Sequence, residues 1–328
     1  MNTQANCDGE VLMEVRNIKK WFPVKSGFFS NKKSYLKAVD DINITICRGK
    51  TLGVVGESGC GKSTLARTIM NLIPPTDGEV IFNGKDITKM SHKELRRARR
   101  DIQMVFQDPY ASLNPRMRVK DILCEPIIIH NLTTKEEAMK KAENLLELVG
   151  LDKSSMERYP HEFSGGQMQR ICIARALMLE PKIIICDECV SALDVSIQAQ
   201  IINLLIRLQK QLGITMIFIS HDLRVVRHIS TEVAVMYLGK IVEYASTDEL
   251  FDNPIHPYTK ALISAVPEDN PDGKKKRIIL TGDVPSPINA PPGCGFSTRC
   301  SMKKDECLSG TPDLREIREG HYCRCILV

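Results

Sequence analysis

The stretch that most restricts this fold is "VVGESGCGKSTL", residues 54–65. Gly56, Glu57, Ser58, Gly59, Cys60, Gly61, Lys62 and Ser63 fit the pattern G-x-x-x-x-G-K-S/T without adjustment. Before them, "TLGVV" is a short β-type run suited to a buried parallel strand. After them, "KSTLARTIMNLI" spaces Leu65, Ile69, Leu72 and Ile73 as a helix would. A strand on one side and a helix on the other is the context this motif requires. Its glycines let backbone N–H groups turn inward around phosphate oxygens, and the helix N-terminus adds partial positive charge. Lys62 is suited to reach the β and γ phosphates, Ser63 to ligate Mg²⁺, and Thr64 to support the α/β side.

With 328 residues, 43% hydrophobic and 26% charged, the chain has the composition of a soluble protein of one large or two modest domains. The apolar runs "PIIIH" and "KIIIC" are too short to cross a bilayer, and "MNTQANCDGE" carries no apolar signal core. The expectation is a protein that stays in the cytosol. A formal charge of +5 is small for this length and calls for no nucleic-acid partner.

A phosphate loop alone does not separate kinases, GTPases, helicases and transport ATPases. "KIIICDECVSALD" narrows the choice: an apolar strand, Ile183 to Cys186, ends in Asp187 and Glu188. The first carboxylate can hold Mg²⁺ through water, and the second can polarise an attacking water as general base. "MIFISHD" is another apolar strand, followed by His221, which suits a γ-phosphate sensor. "HEFSGGQMQRICIARAL" places a Ser-Gly-Gly-Gln turn at a helix that begins near Gln167. A second glycine turn in a chain that already has a phosphate loop points to a nucleotide held by another copy or a partner.

These motifs, in this order, resemble the ATP-binding subunits of ABC transporters: Walker A at Gly56 to Thr64, the Q-loop "VFQDPYASLNP" with Gln107, the signature "FSGGQ", Walker B "IIICD" with Glu188 next, the D-loop "SALD", and the H-switch His221. The resemblance implies an α/β P-loop NTPase of ABC type, with a RecA-like core, a β-subdomain and a helical subdomain. It implies two subunits closing head to tail over two ATPs. Ser164, Gly165, Gly166 and Gln167 would then touch the partner's ATP. Gln107 would contact Mg²⁺ or the attacking water, Asp187 would hold the metal with Ser63, and Asp194 would couple the two sites. Two positions depart from the usual pattern: Phe163 stands where Leu is commonest, and Cys189 where Pro usually follows the glutamate. An aromatic upstream of Walker A usually stacks on adenine. Phe22 aligns best, while the insertion "VKSGFFSNKK" blurs the register and leaves Trp21 and Tyr35 as alternatives.

Residues 11 to 90 alternate β-type runs with turns such as "TDGE" and "FNGK". "SHKELRRARRD" is helical by propensity and reads as a solvated basic surface, with lipid headgroups as the lesser alternative. "TTKEEAMKKAENLLELVGL" has a threonine start signal, apolar residues at helical spacing and Gly150 as a stop. The expected division is an ATP-binding domain over 1–265, its helical subdomain at about 110–180, and a C-terminal extension over 266–328. "HPY" at 256–258, the Pro-rich "GDVPSPINAPPGCGF" and the terminal cysteines resemble the extension of dipeptide and oligopeptide importer ATPases, and of that pair the F-type more than the D-type.

Five of the 12 cysteines, at 294, 300, 307, 323 and 325, crowd the C-terminal segment in a spacing that matches neither a zinc ribbon nor a ferredoxin. From spacing alone, free thiols and metal ligands are equally supported. The resemblance implies a [4Fe-4S] cluster on Cys294, Cys300, Cys307 and Cys325, with zinc as the other ion that suits four thiolates. Cys172 and Cys186 sit in apolar runs as core residues. Cys60 predicts sensitivity to thiol reagents.

The function implied is an ATP-hydrolysing importer motor at the cytoplasmic face of a bacterial or archaeal membrane. Its implied partners are a D-type ATPase, two permease subunits and an external peptide-binding protein. A non-transport ABC factor would normally carry tandem cassettes or long coiled coils, and this chain has neither. A redox regulator would not need Glu188, His221 and the signature together. The cargo stays open between dipeptides, longer peptides, nickel and glycosides.

Overall fold

A computed structural model of the chain describes residues 9–24, 34–266 and 277–328. The insertion at 24–33 and the first eight residues fall almost wholly outside the described residues. Among the described residues twelve strands occur in chain order: β1 Val11–Val24, β2 Ser34–Cys47, β3 Thr51–Val55, β4 Asp77–Phe82, β5 Lys85–Asp86, β6 Ile102–Val105, β7 Ile183–Asp187, β8 Thr215–Ile219, β9 Glu232–Tyr237, β10 Lys240–Ser246, β11 Arg315–Arg318 and β12 His321–Cys323. The residues form two compact units, one from 1–90 with 219–328 and the other from 91–218.

In the first unit, β1 is the hub of an antiparallel sheet ordered β2-β1-β4-β5. Alternation drives it: Ile42, Ile44 and Ile46 on β2 are buried while Asp41, Asn43 and Thr45 are partly exposed. The strand before the phosphate loop, β3, is buried at every residue and pairs in parallel with β9, Val55 opposite Val235. A parallel strand covered on both faces reads as an unbroken apolar run, which is why "TLGVV" lacked alternation. Beyond β9 the ladder continues antiparallel through β10, β12 and β11. The helix Lys62–Ile69 buries Leu65 and Ile69. It is shorter than its apolar spacing predicts. Asn71 turns left-handed at φ 52°, and Leu72 lies outside the helix, 42% exposed.

The second unit is mainly helical. Ser91 caps the basic helix His92–Asp101 with a reciprocal box to Glu94, and only Leu95 of that helix is buried, in keeping with a solvated face. Thr134 caps Lys135–Leu148, whose Ala138, Ala142 and Leu146 are buried, and Gly150 ends the segment at φ 79°. β6 and β7 pair in parallel, Met104 opposite Ile185. Among the described residues no helix is long and apolar enough to cross a membrane.

Candidate functional site: a phosphate cradle, a carboxylate strand end and a glycine-opened helix

The phosphate loop leaves β3 at Gly56 and re-enters helix at Lys62. Gly61 caps that helix at φ 109°, and a Cβ there would collide with the Ala38 carbonyl oxygen. Only glycine fits both conditions. Lys62 is 4% exposed, and its ammonium donates to the carbonyls of Gly56 at 2.8 Å and Glu57 at 3.0 Å. A cation so held beside a helix N-terminus is suited to phosphate oxygens. Cys60 is 4% exposed, and burial raises its thiol pKa. Burial weighs against the expected sensitivity to thiol reagents, and the Lys62 ammonium 3.9 Å from the sulfur weighs for it.

In the same unit Ser220 and His221 follow Ile219, the last residue of β8. The Ser220 N–H donates to the Val54 carbonyl at 3.2 Å, and His221 itself is exposed. Phe22, Trp21 and Tyr35 all lie on β1 and β2. The Trp21 indole donates to Asp40 at 3.1 Å, lies under the Lys37 ammonium at 4.5 Å and sits 6.3 Å from Tyr35. Phe22 pairs with Leu36, and Lys20 lies over its ring at 5.1 Å.

In the second unit β7 ends in Asp187, buried to 4% exposure. Glu188 follows in the left-handed region at φ 47°, a conformation that costs a non-glycine residue about 1–3 kcal/mol. Its carboxylate accepts from the Gln107 amide at 3.3 Å, and Gln107 also reaches the Ser191 hydroxyl at 3.3 Å. Gln107, Glu188 and Ser191 thus form one polar cluster. Cys189 is buried at 1%, a side-chain neighbour of Cys186, so the residue that replaces the usual proline serves as packing. Hard oxygen donors such as Ser63, Gln107 and Asp187 have the chemistry Mg²⁺ prefers.

The helix Gly165–Leu177, capped by Ser164, begins two residues before Gln167, where the turn reading places its start. Ser164 and Gln167 close a capping box, with Ser164 N–H to Gln167 Oε1 at 3.0 Å. A Cβ on Gly166 would lie 2.5 Å from Ile197 Cγ2, so glycine lets this helix meet Val195–Leu212 closely. Phe163 is buried with the Arg158 guanidinium 4.3 Å over its ring, which accounts for a phenylalanine there. Asp194 is the exposed N-cap residue of Val195–Leu212.

The C-terminal thiols converge in part. Burial raises the pKa of Cys294, Cys300 and Cys325, and Cys307 acts on all three. Cys294 N–H donates to the Cys307 carbonyl at 2.8 Å. Cys323, outside the four ligands that the resemblance implies, lies on β12 in an apolar cluster with Ile255. Yet among the described residues no three or more His, Cys, Asp or Glu side chains are spaced to hold a metal ion. The structure gives neither the [4Fe-4S] cluster nor zinc support. Sequence reasoning noted "HPY" but missed its work: the Tyr258 hydroxyl accepts from Glu57 N–H at 2.9 Å.

The comparisons bear on this arrangement directly. Residues 39–191 match the ABC transporter family model, and residues 242–307 match that of the oligopeptide/dipeptide transporter C-terminal region. The oligopeptide transport ATP-binding protein AppF of Bacillus subtilis is 53% identical over 97% of this chain and 98% of its own. This chain belongs to the ATP-binding proteins of the oligopeptide and dipeptide ABC transporters. The dipeptide transport ATP-binding protein DppF of Escherichia coli is 49% identical to this transporter ATPase over 100% of this chain and 98% of its own. The fold agrees. MJ0796, an ATP-binding cassette solved as a post-hydrolysis dimer with ADP and phosphate, superposes with a TM-score of 0.63 at 28% identity, over 72% of this chain and 99% of that one. The chain is an ABC-type ATPase with the P-loop cassette fold.

Proposed function

We propose that this transporter ATPase binds MgATP at the Gly56–Thr64 loop and hydrolyses it to drive uptake of dipeptides or oligopeptides. The reading rests on one observation above all. Glu188, at the end of buried β7, keeps its carboxylate hydrogen-bonded to Gln107, as a general base that orients water requires. Lys62 holds the phosphates. Ser63, Gln107 and Asp187 would hold Mg²⁺, which neutralises phosphate charge when bound. His221 contacts the γ-phosphate and Phe22 stacks on adenine, since Trp21 is engaged by Asp40 and Lys37. Ser164 to Gln167 of one subunit close over the nucleotide of another, and Asp194 links the two.

The assembly proposed has a D-type ATPase beside this F-type chain, two permease subunits and an external peptide-binding protein, with the ATPases peripheral at the cytoplasmic membrane face. The [4Fe-4S] cluster stays outside this mechanism, and iron analysis of anaerobically purified protein tests it separately. The test of the function is transport by the reconstituted complex carrying Glu188→Gln in this chain and the matching change in its partner. The variant is expected to bind ATP, hold the closed dimer and lose hydrolysis by at least about a hundredfold. Wild-type turnover would remove Glu188 from its role.

A further inference from the structure

Glu57 is fastened at three points. Its carboxylate takes a forked pair of hydrogen bonds from Arg299, Nη1 to Oε2 at 2.7 Å and Nη2 to Oε1 at 3.1 Å. Its N–H donates to the Tyr258 hydroxyl, and its carbonyl accepts from Lys62 Nζ at 3.0 Å. The Arg299 side chain is 8% exposed and that of Glu57 28%, so the pair is shielded from the solvent screening that weakens surface ion pairs. Tyr258 is itself locked. Its ring lies 4.7 Å from Tyr237 and 5.4 Å from Phe296, three residues before Arg299. The chain thus sends a nearly buried guanidinium and a buried phenol from its C-terminal third to one residue of the phosphate loop.

We propose that Arg299 is a positioning residue for ATP. It fixes Glu57, and through the Glu57 peptide the carbonyls that aim Lys62, so that the loop meets the nucleotide already ordered. The proposal rests on the ATP site described above. A loop without this brace must lose conformational freedom when ATP binds, and that cost appears as weaker affinity. The coupling is reciprocal: MgATP tightens the segment that carries Arg299.

The test uses the full-length chain, a Mg²⁺ complex of a fluorescent N-methylanthraniloyl ATP, and urea unfolding without nucleotide. Binding by the wild type and its loss in Lys62→Ala check the ATP site alone; absence of binding by the wild type would sink that reading and this one together. Arg299→Gln and Glu57→Gln are each expected to raise Kd about tenfold, and the double variant no more than either single. Arg299→Lys, which keeps the charge without the fork, falls between. In the assembled transporter KM for ATP rises while kcat stays within about twofold. Unchanged Kd in Arg299→Gln, additive effects in the double variant, or a loss confined to kcat overturns the proposal. Should urea profiles find Arg299→Gln unfolded, Glu57→Gln carries the test, and a wild-type Kd there is equally fatal.

Discussion

Glu188 combines two demands that rarely coincide. Its carboxylate must sit at the end of a buried strand, and its backbone must take a left-handed turn at φ 47°. Nothing in the side chain favours that turn, so the surrounding structure imposes it. Strain at such a position is relieved by glycine and not by alanine. Glu188→Gly is therefore expected to be more stable than Glu188→Ala by about 0.5–1 kcal/mol, although it removes more of the side chain. Urea unfolding of the two variants checks the order. Both lose hydrolysis. The residues of Walker A, Walker B and the signature were legible in the sequence because each carries its chemistry within a few positions. Arg299 was not, because its partner is 242 residues away and nothing local in "STRC" names it.

At the scale of elements, the "HPY" segment shows how a short motif organises its surroundings. His256 caps the helix Pro257–Ser264, its Nδ1 accepting from Tyr258 N–H at 3.1 Å. Beneath it the buried Glu243 carboxylate accepts from the N–H groups of Ile255 at 2.6 Å and His256 at 2.9 Å, and lies 2.8 Å from His321 Nε2. Burial holds His256 down to about 4. Burial also pulls His321 down, but its hydrogen bonds to Glu243 and Glu249 outweigh that and raise it. The signs differ. His256 contributes stability in full above its unfolded value of about 6.5, and this is lost as pH falls towards 4. The contribution of His321 is complete below about 6.5 and lost as pH rises through its raised value. The urea midpoint is expected to fall between pH 6.5 and 4, and His256→Asn to flatten that fall. A steep fall in the variant would assign it to carboxylates instead. Periodicity exposed most helices and strands here. It overran the helix after Lys62 because Leu72 and Ile73 keep the spacing past the left-handed Asn71 that ends it.

For the whole molecule, the unit that holds the phosphate loop is built from both ends of the chain, 1–90 and 219–328. Its strand ladder closes on β12, which pairs onto β10, and β11, which pairs onto β12. Their sequence "REIREGHYC" is polar and short, with little of the alternation that marks a strand, and only the tertiary partner makes it one. Removing residues after 290 would leave the β10 edge open and Glu57 without its guanidinium. Such a chain is expected to melt several degrees lower and to self-associate through the bare edge, measured by calorimetry and light scattering.

The order of synthesis gives that closure a further meaning. A ribosome that has finished Glu57 must add 242 more residues before Arg299 emerges. Once His221 is added, and until Arg299 follows, the nascent protein carries every recognisable nucleotide motif while its loop lacks the last fastening. Competence for ATP is thereby tied to translation past codon 299, and products released early are left with a slack grip on the cell's nucleotide pool.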